Sequence, residues 1–96
     1  MSDGGFDRSL FTPPRFKVLG FLVQVEESDY ATIQEFTGLN TPDISRAVSH
    51  LADRHLVRVR KELKGRYPLT VVQATDEGRK RFKGLLTSLK KYGVDG

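Results

Sequence analysis

The segment "TPDISRAVSHLADRH" carries an unusual polar face on one predicted helix. Its apolar residues recur at the i, i+3, i+4 and i+7 spacing of a buried helix face; they are Ile44, Ala47, Val48 and Leu51. The opposite face consists of Ser45, Arg46, Ser49 and His50. Serine hydroxyls can donate or accept a hydrogen bond, and an arginine can bind the edge of a guanine with two hydrogen bonds. Because the hydroxyl side chains are short, this face would let the helix backbone approach a DNA groove closely.

The excess positive charge of the chain lies in the same region. Between residues 41 and 66, seven basic residues stand against three acidic ones, a net of +4 that equals the net charge of all 96 residues. A basic patch confined to one helix and the strand after it is typical of a surface that binds a polyanion. A locally basic, solvated surface would explain the charge equally well, so the charge alone leaves both interpretations open.

A helix-turn-helix is the element that would hold the polar face. A short helix over residues 31–37 ends at Gly38, where we expect a left-handed backbone. After a tight turn, Thr41 is predicted to cap a longer helix over residues 42–54, with Pro42 at its first position. Two helices joined by a short turn that contains glycine form a helix-turn-helix.

An earlier helix precedes this pair. It begins at "TPPR", where Thr12 is the predicted N-cap, and we expect it to run to about Glu26. Its apolar residues cover more than one face, which predicts burial on two sides. One side would meet the core, and the other would meet the N-terminal arm, residues 1–12, or a second subunit.

The period of the apolar pattern changes after the long helix. In "LVRVRKEL" the valines alternate with Arg58 and Arg60, which is the two-residue period of a half-buried strand. "KGRYP" has the composition of a turn, and the β-branched "LTVVQAT" predicts a returning strand. We therefore expect a hairpin, the wing, over residues 57–74, with Lys64 and Arg66 at its tip.

The last predicted helix covers residues 76–92, with Thr75 as its N-cap and acidic residues in its first turn. Its apolar stripe consists of Phe82, Leu85, Leu86 and Leu89. A fourth helix in so small a domain is hardly covered by its own subunit, and the apolar residues of the N-terminal arm also need cover; these are Phe6, Leu10 and Phe11. We expect both sets to contribute to a homodimer interface around a two-fold axis, although the stripe would also fit the core.

The elements follow one another in the order α-α-α-β-β-α. This order predicts a mainly helical fold with a β-hairpin wing, a winged helix-turn-helix, as a single domain over residues 1–96. A polar face of this kind suits a DNA major groove, with the wing tip within reach of the adjacent minor groove or its backbone. The residues predicted to contact DNA are Thr41, Pro42, Ser45, Arg46, Ser49, His50, Arg54, Arg58, Arg60, Lys64 and Arg66.

Three segments resemble the small MarR-like winged-helix transcriptional regulators of bacteria and archaea. They are "FTPPRFKVLGFL", "LNTPDISRAVSHLADRHLVRVRK" and "KGRYPLTVVQATDEGRKRF". The run "TDEGR", which enters the last helix, is the most specific of the matching motifs. The resemblance implies a homodimer that places one recognition helix in each of two major grooves of a pseudo-palindromic operator. For so small a protein, repression by occupying a promoter is the simplest mechanism.

The chain departs from that family at two places. The family usually has a glycine just before the first wing strand, whereas this chain has His55, a tolerable but less favourable residue if the backbone there is left-handed. The second wing strand carries Leu69 and Val72 where the family often has arginine and tyrosine. The resemblance therefore implies the helix contacts more directly than the wing contacts.

Other classes of function have little support in the sequence. His50 and His55 would point about 140° apart on a helix, and no cysteine or carboxylate cluster completes a metal site, so we expect no metal and no cofactor. No nucleophile with an adjacent base indicates an enzyme. The start "MSDGGFDRSLF" has no basic region followed by an apolar run, so we expect no secretory signal, and the longest apolar run, "VLGFLV", is too short to span a membrane. We therefore expect a cytoplasmic protein.

A protein-interaction module with the same winged-helix fold is the main alternative to a DNA-binding regulator. Such a module would present an exposed apolar patch and would bind with weak salt dependence. The outward face predicted here is instead polar and basic. No pattern in the sequence identifies the operator or a small-molecule effector.

Overall fold

The structure, a computed structural model, describes residues 12–91. Its elements are α1 (Pro13–Leu22), β1 (Ser28–Asp29), α2 (Tyr30–Thr37), α3 (Thr41–Asp53), β2 (Val57–Lys64), β3 (Tyr67–Ala74) and α4 (Asp76–Lys91). This order confirms the predicted winged helix-turn-helix. It adds strand β1, which is too short to show a two-residue period in the sequence.

The three strands form one antiparallel sheet in the order β1-β3-β2. Strands β2 and β3 pair along their full length, and Lys64 lies opposite Tyr67 at the end of the hairpin. Gly65 and Arg66 form the two-residue turn, in which Gly65 has a φ of 65° and Arg66 does not have a positive φ. This pattern is that of a type II′ turn, which suits the twist of the flanking strands. The predicted wing and its tip are confirmed.

The core lies where α1, α2 and α3 meet the base of the sheet and the middle of α4. Its largest fully buried side chains come from all of these elements; they are Leu19, Leu22, Ile33, Ile44, Leu51, Leu85, Val18 and Val72. Burying an aliphatic side chain of this kind stabilises the fold by about 1.5–3 kcal/mol relative to leaving it exposed. The outer half of the hairpin extends beyond this core, and most of β2 is exposed.

Helix α1 is shorter than predicted, because it ends at Leu22 rather than near Glu26. The guanidinium of Arg79, on α4, donates hydrogen bonds to the carbonyl oxygens of Val23 at 2.7 Å and of Val25 at 3.1 Å. These bonds satisfy carbonyls that a longer helix would pair internally. The apolar pattern continues past the helix end because both valines still pack against the core.

Helix α2 begins at Tyr30, one residue before the predicted start. The carboxylate of Asp29 caps it by accepting a hydrogen bond from the backbone N–H of Thr32 at 2.8 Å. The helix ends at Gly38, whose φ of 75° confirms the predicted left-handed residue. Thr12 has the predicted N-cap position of α1, although its side chain makes no capping hydrogen bond.

The predicted N-cap of α3 is wrong by one residue. Asn40 is the N-cap, and its Oδ1 accepts a hydrogen bond from the backbone N–H of Asp43 at 2.8 Å. Thr41 is instead the first helical residue. Asparagine is a better N-cap than threonine, and the shift places Thr41 and Pro42 together in the first turn.

Candidate nucleic-acid interface

The two faces of α3 separate as the sequence predicts. The buried stripe is 2 % exposed or less at every position, namely Ile44, Ala47, Val48 and Leu51. The exposed residues of the opposite face and of the helix start are Thr41, Pro42, Ser45, Arg46 and Ser49. Because one whole side of α3 is packed into the core, the helix cannot rotate about its axis. The core therefore determines which side chains α3 presents outward.

Arg46 is the most exposed charged group on this face. Its side chain is 73 % exposed, and its Nη2 donates to Oδ1 of Asp43 at 2.6 Å. An exposed ion pair between residues three apart on a helix contributes about 1 kcal/mol or less. The guanidinium can therefore leave Asp43 for the edge of a base at little cost.

Two other side chains of the predicted face are partly engaged with the protein itself. Ser45 lies beside the phenol of Tyr30, the first residue of α2. Burial raises the pKa of the Tyr30 phenol, and the neighbouring Ser45 side chain opposes that rise. His50 is half-buried, and its Nε2 atom is enclosed by protein. The ring of His50 consequently has less room for a DNA contact than Arg46 or Ser49.

The wing carries cations along its length and at its tip. Those that are exposed on the hairpin are Arg58, Lys61, Lys64 and Arg66, and Arg54 is exposed at the end of α3. Lys61 donates across the hairpin to the Thr70 hydroxyl at 3.0 Å. Cations on a projecting two-stranded ribbon are suited to phosphates, because phosphate contacts fix position without requiring one exact base geometry.

Arg60 differs from the other cations that are predicted to contact DNA. Its guanidinium donates to the carboxylate of Glu27 at 2.8 Å and to that of Glu62 at 2.8 Å. The hydrogen bond from Arg60 lowers the pKa of Glu27 below its usual value. In this arrangement Arg60 connects the wing to the segment before β1, and it would have to leave two carboxylates, where Arg46 leaves one, to reach a phosphate. The sequence could not show this, because Glu27 lies 33 residues earlier.

A compact corner joins α3 to the wing and to α4. The φ of His55 is 62°, so the backbone there is left-handed, as glycine in related regulators suggested. The hydroxyl of Thr75 donates to the His55 carbonyl at 2.7 Å and accepts from the N–H of Gly78 at 2.9 Å, which confirms Thr75 as a cap. A Cβ at Gly78 would overlap the carbonyl oxygen of Leu56. The motif "TDEGR" thus contains Thr75, which caps α4, and Gly78, which approaches the backbone of Leu56 closely. It also contains Arg79, whose guanidinium binds carbonyl oxygens just after the end of α1.

The apolar stripe of α4 does not act as one surface. Leu85 is fully buried by its own chain, so it belongs to the core and cannot contribute to the predicted dimer interface. Phe82 and Leu89 are partly buried against the core, whereas Leu86 is 42 % exposed. A helical period identifies the apolar face of a helix but not the depth of each residue within it. The other predicted interface residues, Phe6, Leu10 and Phe11, lie outside the described residues.

Three positioning residues were missed by reasoning from the sequence alone. Asn40 could have been found, because it directly precedes the helix and outranks Thr41 as a cap. Glu27 and Tyr30 could not, because each acts through a residue that is distant in sequence. In the part of the chain that the structure describes, no group of three or more potential metal ligands occurs. No helix there is long and apolar enough to cross a membrane.

Comparisons with known proteins identify the family. The model of the winged helix DNA-binding domain family matches residues 15–92, and the chain belongs to this family. A solved transcriptional regulator homologue from Pyrococcus horikoshii OT3 is 29% identical, with a TM-score of 0.83 over 94% of this chain and 91% of its own. Among curated proteins, none matches the chain.

Longer regulators share the same domain. The PcaV transcriptional regulator from Streptomyces coelicolor, solved with its natural ligand, is 28% identical, with a TM-score of 0.74 over 83% of this chain and 56% of its own. A MarR family regulator from Silicibacter pomeroyi shares the fold at 19% identity, with a TM-score of 0.68 over 88% of this chain and 60% of its own. The chain thus spans little more than half of these proteins. The chain therefore belongs to the winged helix DNA-binding domain family, and it is similar to solved transcriptional regulators.

Proposed function

We propose that the chain binds specific double-stranded DNA as a homodimer in the cytoplasm and represses transcription by occupying a promoter. Helix α3 would lie in the major groove, and the wing would contact the adjacent minor groove or its backbone. The observation that carries this proposal is the outward face of α3, where Ser45, Arg46 and Ser49 are exposed opposite a fully buried stripe. A face built to dock another protein would be apolar at this position.

The residues of α3 would read the bases. Arg46 would bind a guanine through two hydrogen bonds, a contact that discriminates against another base by about 1–3 kcal/mol. Ser45 and Ser49 would contact neighbouring base edges, with His50 at the margin of the contact. Thr41 and Pro42 would lie near a phosphate, because the first turn of a helix attracts anions.

The remaining cations would contact phosphates. These are Arg54 at the end of α3 and Arg58, Lys64 and Arg66 on the wing, all exposed. Each phosphate that a protein neutralises adds about 0.9 to the magnitude of the log–log salt slope of binding to duplex DNA. Binding should therefore weaken steeply as salt is raised. Arg60 would contribute less than these cations, because its guanidinium must leave Glu27 and Glu62 to reach a phosphate.

A homodimer would give the DNA contact its symmetry. The proposed interface combines the exposed Leu86 and the partly buried Phe82 and Leu89 of α4 with the N-terminal arm. An interface between identical faces has two-fold symmetry. It would place the two recognition helices about 34–36 Å apart, one turn of DNA, as a pseudo-palindromic operator requires.

Two substitutions test the division between base and phosphate contacts. Arg46→Ala should weaken binding to a selected operator by about 1–3 kcal/mol and relax selectivity at one base pair. Arg66→Ala should weaken specific and random DNA alike and reduce the salt slope by about 1. Lys80→Ala, an exposed change on α4, serves as the control. If Arg46→Ala affected both DNAs equally, Arg46 would not be a base-reading residue.

A further inference from the structure

An open groove of about 820 Å³ runs between α1, α2 and α4. Its walls are mainly aromatic and aliphatic, and the side chains that matter most are Phe16, Phe21, Phe36, Phe82 and Leu86. None of them belongs to the outward face of α3 or to the wing, so the proposed DNA contact does not use this groove.

The groove exposes large apolar side chains to water. Phe36 is 68 % exposed, although its ring stacks on that of Phe21 with centroids 4.9 Å apart. Nearer the start of α1, the rings of Phe16 and Phe82 lie 5.2 Å apart, and Leu86 beside them is 42 % exposed. Exposed aromatic side chains grouped in one groove are typical of a surface onto which another segment or partner packs.

We propose that this groove is filled by the N-terminal segment of the same chain, residues 1–11. The segment joins the described part of the chain at Thr12, whose extended backbone leads directly into the first turn of α1 and so to Phe16. The segment contains Phe6, Leu10 and Phe11 among its eleven residues. The apolar groove and an apolar segment therefore adjoin each other in the chain.

The length of the segment matches the groove. A helix rises about 1.5 Å per residue, so Thr12 and Phe21 lie about 14 Å apart along α1. An extended chain covers about 3.3 Å per residue, so about four residues that run back along α1 span this distance. Leu10 would thus lie beside Phe16, Arg8 beside Phe21, and Phe6 beyond that ring, toward Gln24 at the far end of the groove.

The connection through Thr12 favours the segment of the same chain over that of a second copy. A short flexible connection holds a segment at an effective concentration in the millimolar range, far above that of a separate molecule. The inference rests on the proposed homodimer and revises its interface: an arm that lies in the groove of its own copy would cover Phe82 and Leu86, and the second copy would then contact the outer side of the arm together with Leu89. Its test measures contacts of the arm and not DNA binding, so its failure can be told from a failure of the DNA proposal.

A pair of engineered cysteines tests the position of the arm in the full-length chain, which has no cysteine of its own. Gly5→Cys is combined with Gln24→Cys, a residue that lines the groove. The matched control combines Gly5→Cys with Leu63→Cys on the wing, where the side chain is 75 % exposed. Mild oxidation should form an intramolecular disulfide in the first pair roughly tenfold faster than in the control pair.

Other outcomes would overturn the proposal. A disulfide-linked dimer from the first pair would show that the arm reaches a second copy. Equal rates of disulfide formation in the two pairs, or no disulfide in the first pair, would show that the arm does not lie in the groove. As a second measurement, Phe6→Ser should lower the midpoint of thermal unfolding by several degrees and raise the fluorescence of an apolar dye, whereas Asp3→Ser should change neither. An unchanged Phe6→Ser variant would also contradict the proposal.

Discussion

The recognition helix α3 and the wing both present polar and positive groups outward, but the fold supports them differently. All four inward side chains of α3 are 2 % exposed or less. On β2, Val57 is buried, whereas Val59 is 39 % exposed and Leu63 is 75 % exposed. The wing thus leaves the core after its first residues, and the bond from Arg60 to Glu27 connects it to the body.

This difference corresponds to the two tasks of a DNA-binding surface. Reading a base requires hydrogen bonds of about 2.7–3.2 Å with a preferred angle, so the helix that reads must be fixed. Contacts to phosphates set position and affinity, and they tolerate small movements of the cation. The most rigid support therefore lies under the element proposed to read sequence.

The largest expected effect is on the inward face of α3. Ile44→Ala removes a fully buried side chain and should lower the free energy of unfolding by about 2–5 kcal/mol. Val59→Ala, the matched change on the wing, should cost less than about 1 kcal/mol, because that side chain is already 39 % exposed. Urea unfolding of both variants measures the difference, and equal losses would contradict the contrast between the two elements.

The corner between α3, the wing and α4 should be nearly as sensitive. Gly78→Ala places a Cβ against the carbonyl oxygen of Leu56, so the backbone must shift, at a cost of about 1–3 kcal/mol. Without that contact, alanine would stabilise a helix by about 0.5–1 kcal/mol relative to glycine. Thermal unfolding of Gly78→Ala measures the effect. A lower midpoint is expected, and a higher midpoint would show that the close approach between Gly78 and Leu56 does not exist.

A smaller effect is expected at the start of α3. Asn40→Ala removes the capping hydrogen bond to Asp43 and should destabilise the protein by about 1 kcal/mol. Thr41→Ala should change stability by about 0.5 kcal/mol or less, because its side chain is exposed and does not cap the helix. Urea unfolding compares the two variants, and a larger loss of stability in Thr41→Ala than in Asn40→Ala would indicate that Thr41 is the cap.

The smallest effect compares two arginines on one face of β2. Arg58→Ala should reduce the salt slope of DNA binding by about 1, as expected for the loss of one phosphate contact. Arg60→Ala should reduce the slope by less, because its guanidinium must leave Glu27 and Glu62 to reach a phosphate. Titrations of random DNA at several salt concentrations make the comparison. Equal losses of slope in the two variants would show that Arg60 contacts a phosphate as readily as Arg58.

The sequence predicts the order of the main elements and the two faces of α3, because these follow from local periodicity. It predicts contacts between distant segments poorly. Arg60 and Glu27 are 33 residues apart, and Arg79 caps the end of α1 from the last helix. Leu85 and Leu86 also share one apolar stripe, although one is fully buried and the other is 42 % exposed. Depth of burial is a property of the packed domain, which a helical period cannot report.

The proposed DNA contact is tested most directly by a fluorescence-anisotropy titration of the full-length chain with a labelled random duplex of about 30 base pairs, long enough for two half-sites one helical turn apart. The titration is repeated over a series of salt concentrations. We expect clear binding at low salt with a steep log–log salt slope, since several exposed cations would release counterions from phosphates. No binding even at low salt would contradict DNA binding and would make the outward face of α3 a protein-docking surface.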